Sequence, residues 1–178
     1  FMVLRAAAAL LLHRMGAGDD IPLGTPATGR QDEALHDAVG MFLNTLVLRT
    51  DLSGHPTFRG LLERVRRSDV AAFAHAELPF DDVVDEVNPV RAAGRNPLFQ
   101  VMVSQQIRPE GTGELLGLRT RLDDQVLDTA KFDLEIVFIE RSGAAELDAA
   151  VRYSADRFDR TTVADLTRRL VRLLAAAA

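Results

Sequence analysis

Residues 39–50 read VGMFLNTLVLRT, a run of β-branched, aromatic and long apolar side chains that predicts a β-strand. The Asp51-Leu52-Ser53-Gly54 sequence after it is a turn signal and closes the strand. Alternation places Met41, Leu43, Thr45 and Val47 on one face and Phe42, Asn44, Leu46 and Leu48 on the other. Both faces are apolar, which predicts a central strand covered on both sides. Asn44 is the exception. A carboxamide on such a face must find hydrogen-bonding partners or cost stability. Two readings stay open: a core amide bonded to neighbouring backbone, or an amide facing a reaction channel.

The remaining elements follow from periodicity and punctuation. Phe1–Met15 is apolar nearly all round and predicts a buried helix, ended by Gly16 and Gly18. Asp20–Pro26 predicts a short strand running into a Gly24-Thr25-Pro26 turn, and Arg30–His36 a crossing loop. Thr57–Ala74 is the clearest helix, with Phe58, Leu61, Leu62, Val65, Ala72 and Phe73 in one stripe. Pro79–Val87 predicts a second, shorter helix stopped by Asn88-Pro89. Arg91–Asn96 is a loop, with Pro97 forcing Asn96 into extended geometry before a strand at Leu98–Gln105. Pro109–Gly117 reads as a Gly-rich loop and Leu118–Leu127 as a weak edge strand. Phe132–Glu140 and Leu147–Tyr153 alternate as strands joined by a hairpin at Arg141–Ala145. Thr161–Ala178 is a last helix with Val163, Leu166, Leu170, Val171 and Leu174 inward. The sum is an α/β fold, a layered mixed sheet of about five strands with packed helices.

The composition narrows the chemistry. At 178 residues, the chain has the length of one domain or a large lobe of one. A formal net charge of -5 gives no electrostatic case for nucleic acid or an anionic membrane. The chain contains no cysteine, which removes disulfides, thiolate metal sites and a thiol nucleophile, and fits a reducing compartment. No apolar run has the length of a membrane span. Phe1–Leu12 lacks the basic start and small-residue cleavage site of a signal peptide. Position 1 is not a methionine and lies within an apolar helix, so a piece of a longer polypeptide is expected. His13, His36, His55 and His75 are scattered, with no HExxH pair, and there is no GxSxG elbow, phosphate loop or dinucleotide fingerprint. Asp81-Asp82, Asp85-Glu86 and Asp123-Asp124 read as solvated acids rather than a metal or acid–base site. No self-contained active site is visible.

Five blocks, in order, carry a further signal: DIPLGTPATGR (Asp20–Arg30), VGMFLNTLVLRTDLSG (Val39–Gly54), HAELPFDDVVDEVNP (His75–Pro89), RNPLFQVMVS (Arg95–Ser104) and AKFDLEIVF (Ala130–Phe138). Together they resemble the second half of the condensation domain of nonribosomal peptide synthetases. The resemblance implies one lobe of the chloramphenicol-acetyltransferase-like fold, whose two lobes form a V around a reaction tunnel. This chain resembles the C-terminal lobe, over residues 1–178. The implied activity is amide-bond formation between aminoacyl and peptidyl thioesters, both held on the phosphopantetheine arms of carrier proteins, with no cofactor bound directly. The implied partners are the N-terminal lobe, donor and acceptor carrier proteins and an adjacent adenylation domain. A symmetric dimer of the isolated lobe is a further expectation, since a lobe cut from its partner leaves apolar surface.

The family's HHxxxDG signature belongs to the other lobe. No His-His pair occurs here, so no residue is assigned a catalytic role and the chain is expected to be inactive alone. On the resemblance, Asn44 and the Gly24-Thr25-Pro26 turn are placed on the tunnel wall. There an amide would hold the arm by hydrogen bonds and a glycine would let it pass close to backbone. Arg30 and Arg95 would either pair with acids across the lobe interface or anchor loops. His75 stands in a block where the family often has His or Asn followed by Gln-Asp. Here Ala76-Glu77 replaces that pair, leaving His75 a place beside a helix start. Pro79 and Phe80 read as structural, with Phe80 anchoring the short helix, and Asn96 and Pro97 as fixing the start of the next strand. Competing readings are a non-catalytic condensation-like docking module, an epimerisation or cyclisation variant, and a smaller acyltransferase using coenzyme A.

Overall fold

The structure is a computed structural model that describes residues 1–30, 32–108, 112–121, 129–141 and 146–177. Its elements are helix α1 (Met2–Leu12), strands β1 (Asp20–Thr28) and β2 (Leu43–Asp51), helices α2 (Phe58–Phe73) and α3 (Phe80–Val87), strands β3 (Val101–Arg108), β4 (Thr112–Leu115), β5 (Leu118–Arg121), β6 (Leu134–Arg141) and β7 (Leu147–Tyr153), and helix α4 (Arg160–Ala177). Five strands make one mixed sheet in the order β2-β1-β3-β6-β7. The β1–β2 and β6–β7 pairs are antiparallel, and β1–β3 and β3–β6 are parallel. Buried residues of α1, α2 and α4 join Ile21, Leu23, Val103, Leu134, Ile136 and Phe138 in one apolar core, as a sheet face covered by a helix layer requires.

The strand read from residues 39–50 is not central. β2 begins at Leu43 and lies at the sheet edge. Its Leu46, Leu48 and Thr50 are buried, whereas Met41 is 86% and Leu43 61% exposed. Apolar residues on both faces look the same whether helices cover them or a partner does, so the pattern did not separate the two cases.

The expected turn at Gly24-Thr25-Pro26 is also corrected: β1 runs straight through it to Thr28. The Leu52 amide donates to Asp19 O at 2.7 Å and the Gly29 amide to Phe42 O at 2.6 Å. These bonds flank the ladder that pairs Asp20 with Asp51 through Thr28 with Leu43. In an antiparallel ladder hydrogen-bonded pairs alternate, so the odd residues of β1 face β2 and the even ones face β3. Gly24 can serve the β3 side, but Pro26 has no N–H to offer there. The described β1–β3 ladder is accordingly just Leu23–Val101 and Gly24–Met102. Past Gly24, β1 pairs with β2 alone.

The segment read as a loop at Pro109–Gly117 contains β4, which pairs with β5 in a separate two-stranded ribbon. The hairpin turns at Leu116-Gly117, both at positive φ (52° and 78°), the conformation of a tight two-residue connection. The remainder of the predicted edge strand, 122–127, lies outside the described residues, as do 109–111 and residues 142–145 of the expected hairpin connection. Gly16 and Gly18 end the first helix as expected, at φ 92° and 93°, Gly16 breaking the π-helical turn at His13–Ala17 from within and Gly18 following it. On α4, Val163, Leu166 and Leu170 are buried while Val171 is 60% exposed, so the inward stripe is narrower than predicted.

One buried feature departs from the apolar reading of α1. Arg5 is fully buried and pairs with Asp69 of α2, also fully buried, at 2.6 Å. Its guanidinium also donates to Leu48 O (3.1 Å), Thr50 Oγ1 (2.8 Å) and Ser68 Oγ (3.1 Å). Burial pushes the Arg5 pKa down and that of Asp69 up; their mutual attraction opposes both shifts. The network ties α1, α2 and the β2 edge together. Asp69 occupies the next position of the α2 stripe after Val65, and an acid there was the signal the sequence offered.

Candidate functional site

Where β1 and β3 part, the sheet opens. Phe1, Thr25, Pro26, Phe73, Gln105 and Ile107 line a cleft of about 330 Å³ at that opening. Thr25 is 3% exposed and its face of β1 is the helix-covered one, with Leu23 and Ala27. Gly24 points to the opposite face. A Cβ added there would lie 2.2 Å from Cε2 of Phe99, so the ring occupies the space a side chain would need. A glycine in mid-strand commonly marks close approach by another group. Phe99 is fully buried and stacks against Phe132 at 5.3 Å and edge-on to Phe80 at 5.9 Å. Phe99 was not among the candidate residues.

Asn44 stands one strand away, paired with Ala27. Its Nδ2 donates to Ala76 O (2.8 Å) and Leu78 O (2.7 Å). Its Oδ1 accepts from the amides of Thr45 (2.8 Å) and Phe80 (3.2 Å). The side chain thus holds the α2–α3 connection against the edge of β2. Within that connection His75 is exposed, its backbone taking part in turn bonds. Pro79 precedes α3, and its carbonyl accepts from the amides of Asp82 and Val83.

Arg30 is a loop anchor by geometry. It donates to the carbonyls of Leu35, His36 (3.0 Å) and Ala38 (2.7 Å) and lies 4.3 Å from the centroid of the Phe42 ring. Arg95 is exposed and, with Phe80, Val84, Arg91 and Pro97, borders a second cleft of about 580 Å³ beside α3. The Asn96 carbonyl accepts from Gln100 Nε2 at 2.9 Å, holding the approach to β3. The fold therefore brings Gly24, Asn44, Pro79 and Phe80 to one junction and Phe80, Arg95 and Pro97 to another. Arg30 belongs to neither. Among the described residues no three His, Asp or Glu side chains form a metal-binding group, and no helix is long and apolar enough to cross a membrane.

Residues 1–178 match the condensation domain family model. The dimodular nonribosomal peptide synthase of Bacillus subtilis (strain 168) is 45% identical over 181 residues, covering 99% of this chain and 8% of that protein. A chain of the solved complex of the X-domain and OxyB from teicoplanin biosynthesis is 35% identical with a TM-score of 0.82, over 97% of this chain and 38% of that one. The first condensation domain of the calcium-dependent antibiotic synthetase shares the fold, with a TM-score of 0.78 at 23% identity over 98% of this chain and 37% of that one. The chain belongs to the condensation domain family. It spans a small part of the synthetases it matches and under half of the solved chains.

Proposed function

We propose that the chain is the C-terminal lobe of a condensation domain that forms amide bonds in nonribosomal peptide synthesis. In that reaction the amine of an aminoacyl thioester attacks the carbonyl of a peptidyl thioester. A C–N bond forms, the C–S bond breaks, and the thiol leaves with a proton. The substrates arrive on the phosphopantetheine arms of donor and acceptor carriers, with an adenylation domain as a further partner. A cysteine-free chain working on thioesters fits the cytoplasm. The observation that carries this reading is the family match over residues 1–178. The opening between β1 and β3 adds a surface: Thr25 and Pro26 would form tunnel wall, with Gly24 and Asn44 behind them. Both hydrogens of the Asn44 amide already serve backbone carbonyls, which favours an indirect part for it. Arg95, exposed beside α3, is the better candidate of the two arginines for an interface, and Arg30 for a loop anchor.

A second reading, a condensation-like docking module, is favoured by the 35% likeness to a chain of the X-domain–OxyB complex. One assay separates them. The chain is mixed with loaded donor and acceptor carriers, with and without a separately produced lobe bearing HHxxxDG. Dipeptidyl product only when both lobes are present is expected. Product from this chain alone would overturn the lobe assignment. No product from the pair, with carriers still bound, would turn the reading to docking. Stereochemical inversion or ring closure in the product would identify an epimerisation or cyclisation variant.

A further inference from the structure

The blocks that carry the family resemblance are distant in sequence, yet the fold gathers parts of four of them at one edge of β2. Ala76 packs with Ala27, Leu46 and Leu48 on the helix-covered face of the sheet. Phe99 packs over Gly24 on the opposite face, and Phe80 meets Phe99 edge-on. Between Ala76 and Phe80 the chain therefore crosses the sheet edge. It crosses at Asn44, whose two N–H groups and two oxygen lone pairs all bond to backbone: Ala76, Leu78, Thr45 and Phe80. Thr45 is an odd residue of β2, so its N–H points away from β1. The same amide thus covers a donor on the open edge and fixes the height at which the chain passes over it.

We infer that Asn44 is a positioning residue for the Thr25–Pro26 wall of the cleft, acting from behind it through Gly24. The crossing sets Phe80, the Phe80 ring sets Phe99, and Phe99 fills the space over Gly24 from which Thr25 projects to the other face. That this wall borders a substrate channel rests on the proposed function; the coupling itself does not. Asn44→Asp keeps the acceptors and loses both donors, and Phe99→Leu cuts the relay while leaving the amide intact. Amide hydrogen exchange on the whole chain reads both. Asn44→Asp is expected to speed exchange about tenfold at Phe80, Thr25, Ala27 and Phe99 while α4 keeps its protection. In a Phe99→Leu background the effect at Thr25 is expected to vanish, while those at Phe80, bonded to the Asn44 side chain, and at Ala27, the ladder partner of Asn44, stay. Faster exchange at Phe80 and Ala27 with none at Thr25 would reduce Asn44 to a local clamp and overturn the inference. Global unfolding of Asn44→Asp would overturn it as well, making Asn44 a determinant of the fold. No condensation is measured, so failure here and failure of the proposed function are told apart.

Discussion

Phe99 stands where the side chain of residue 24 would be. With 2.2 Å between an added Cβ and Cε2 of the ring, Gly24 is required by its neighbour and not by its backbone angle. Gly24→Ala is expected to lower stability by about 1–3 kcal/mol through overpacking. Phe99→Leu should return part of that loss, because the two positions share one space. Denaturant midpoints at constant slope measure both. Strictly additive costs would show that the ring does not set the limit.

The Arg5–Asp69 pair makes a different demand. Two buried charges cost desolvation, and removing either one strands the other. Asp69→Ala is expected to cost about 3–5 kcal/mol, and Arg5→Met about as much. The double change Arg5→Met with Asp69→Leu should cost far less than the two singles together. Thermal or denaturant unfolding of the four proteins gives the coupling energy, and a value near zero would refute the account.

At the end of β2, Asp51 accepts a hydrogen bond from the Ser53 amide at 2.9 Å and lies 3.3 Å from Arg64. The Ser53 side chain, then its backbone N–H, with Arg64 adding, hold this carboxyl below the ordinary carboxylate range. Its proton therefore binds more tightly in the unfolded chain. The contribution is complete above the unfolded pKa of about 4 and fades as pH falls through the folded value. The midpoint gap between the wild type and Asp51→Asn should be constant from pH 7 to about 5 and shrink at lower pH. A gap that persists undiminished to about pH 2 would contradict the sign worked out here.

Val39, Met41 and Leu43 present apolar surface beside an edge strand. Such surface drives association. Sedimentation across a concentration range is expected to show self-association of the chain, weakened by Met41→Lys with Leu43→Lys. A monomer at every concentration would remove the expectation.

The legible part of the fold was the part set by local pattern. The helices at 58–73, 80–87 and 160–177 follow from periodicity and Pro, and the five-stranded sheet from runs of alternating residues. What escaped depends on distant neighbours. Arg5 was passed over in a segment read as apolar nearly all round, and its partner lies 64 positions away. Gly24 looked like a turn because nothing local announces the Phe99 ring. Residues 39–43 looked central because apolar residues buried by helices and apolar residues left exposed have the same composition. At the candidate site, the family blocks pointed to Asn44 and Phe80, but only the fold shows that one amide joins them.

The two-rung β1–β3 ladder has a mechanical meaning. It is a seam dividing the sheet into a β1–β2 half and a β3–β6–β7 half, and two residue pairs give it little shear strength. The helices bridge it: α2 rests on β2, α4 on β7, and α1 lies between these helices and shares the core of both halves. Cooperative unfolding then depends on α1 as a brace. Loosening that helix, by trimming Phe1–Leu4 or replacing Leu11, would let the halves melt separately and turn a single transition into two.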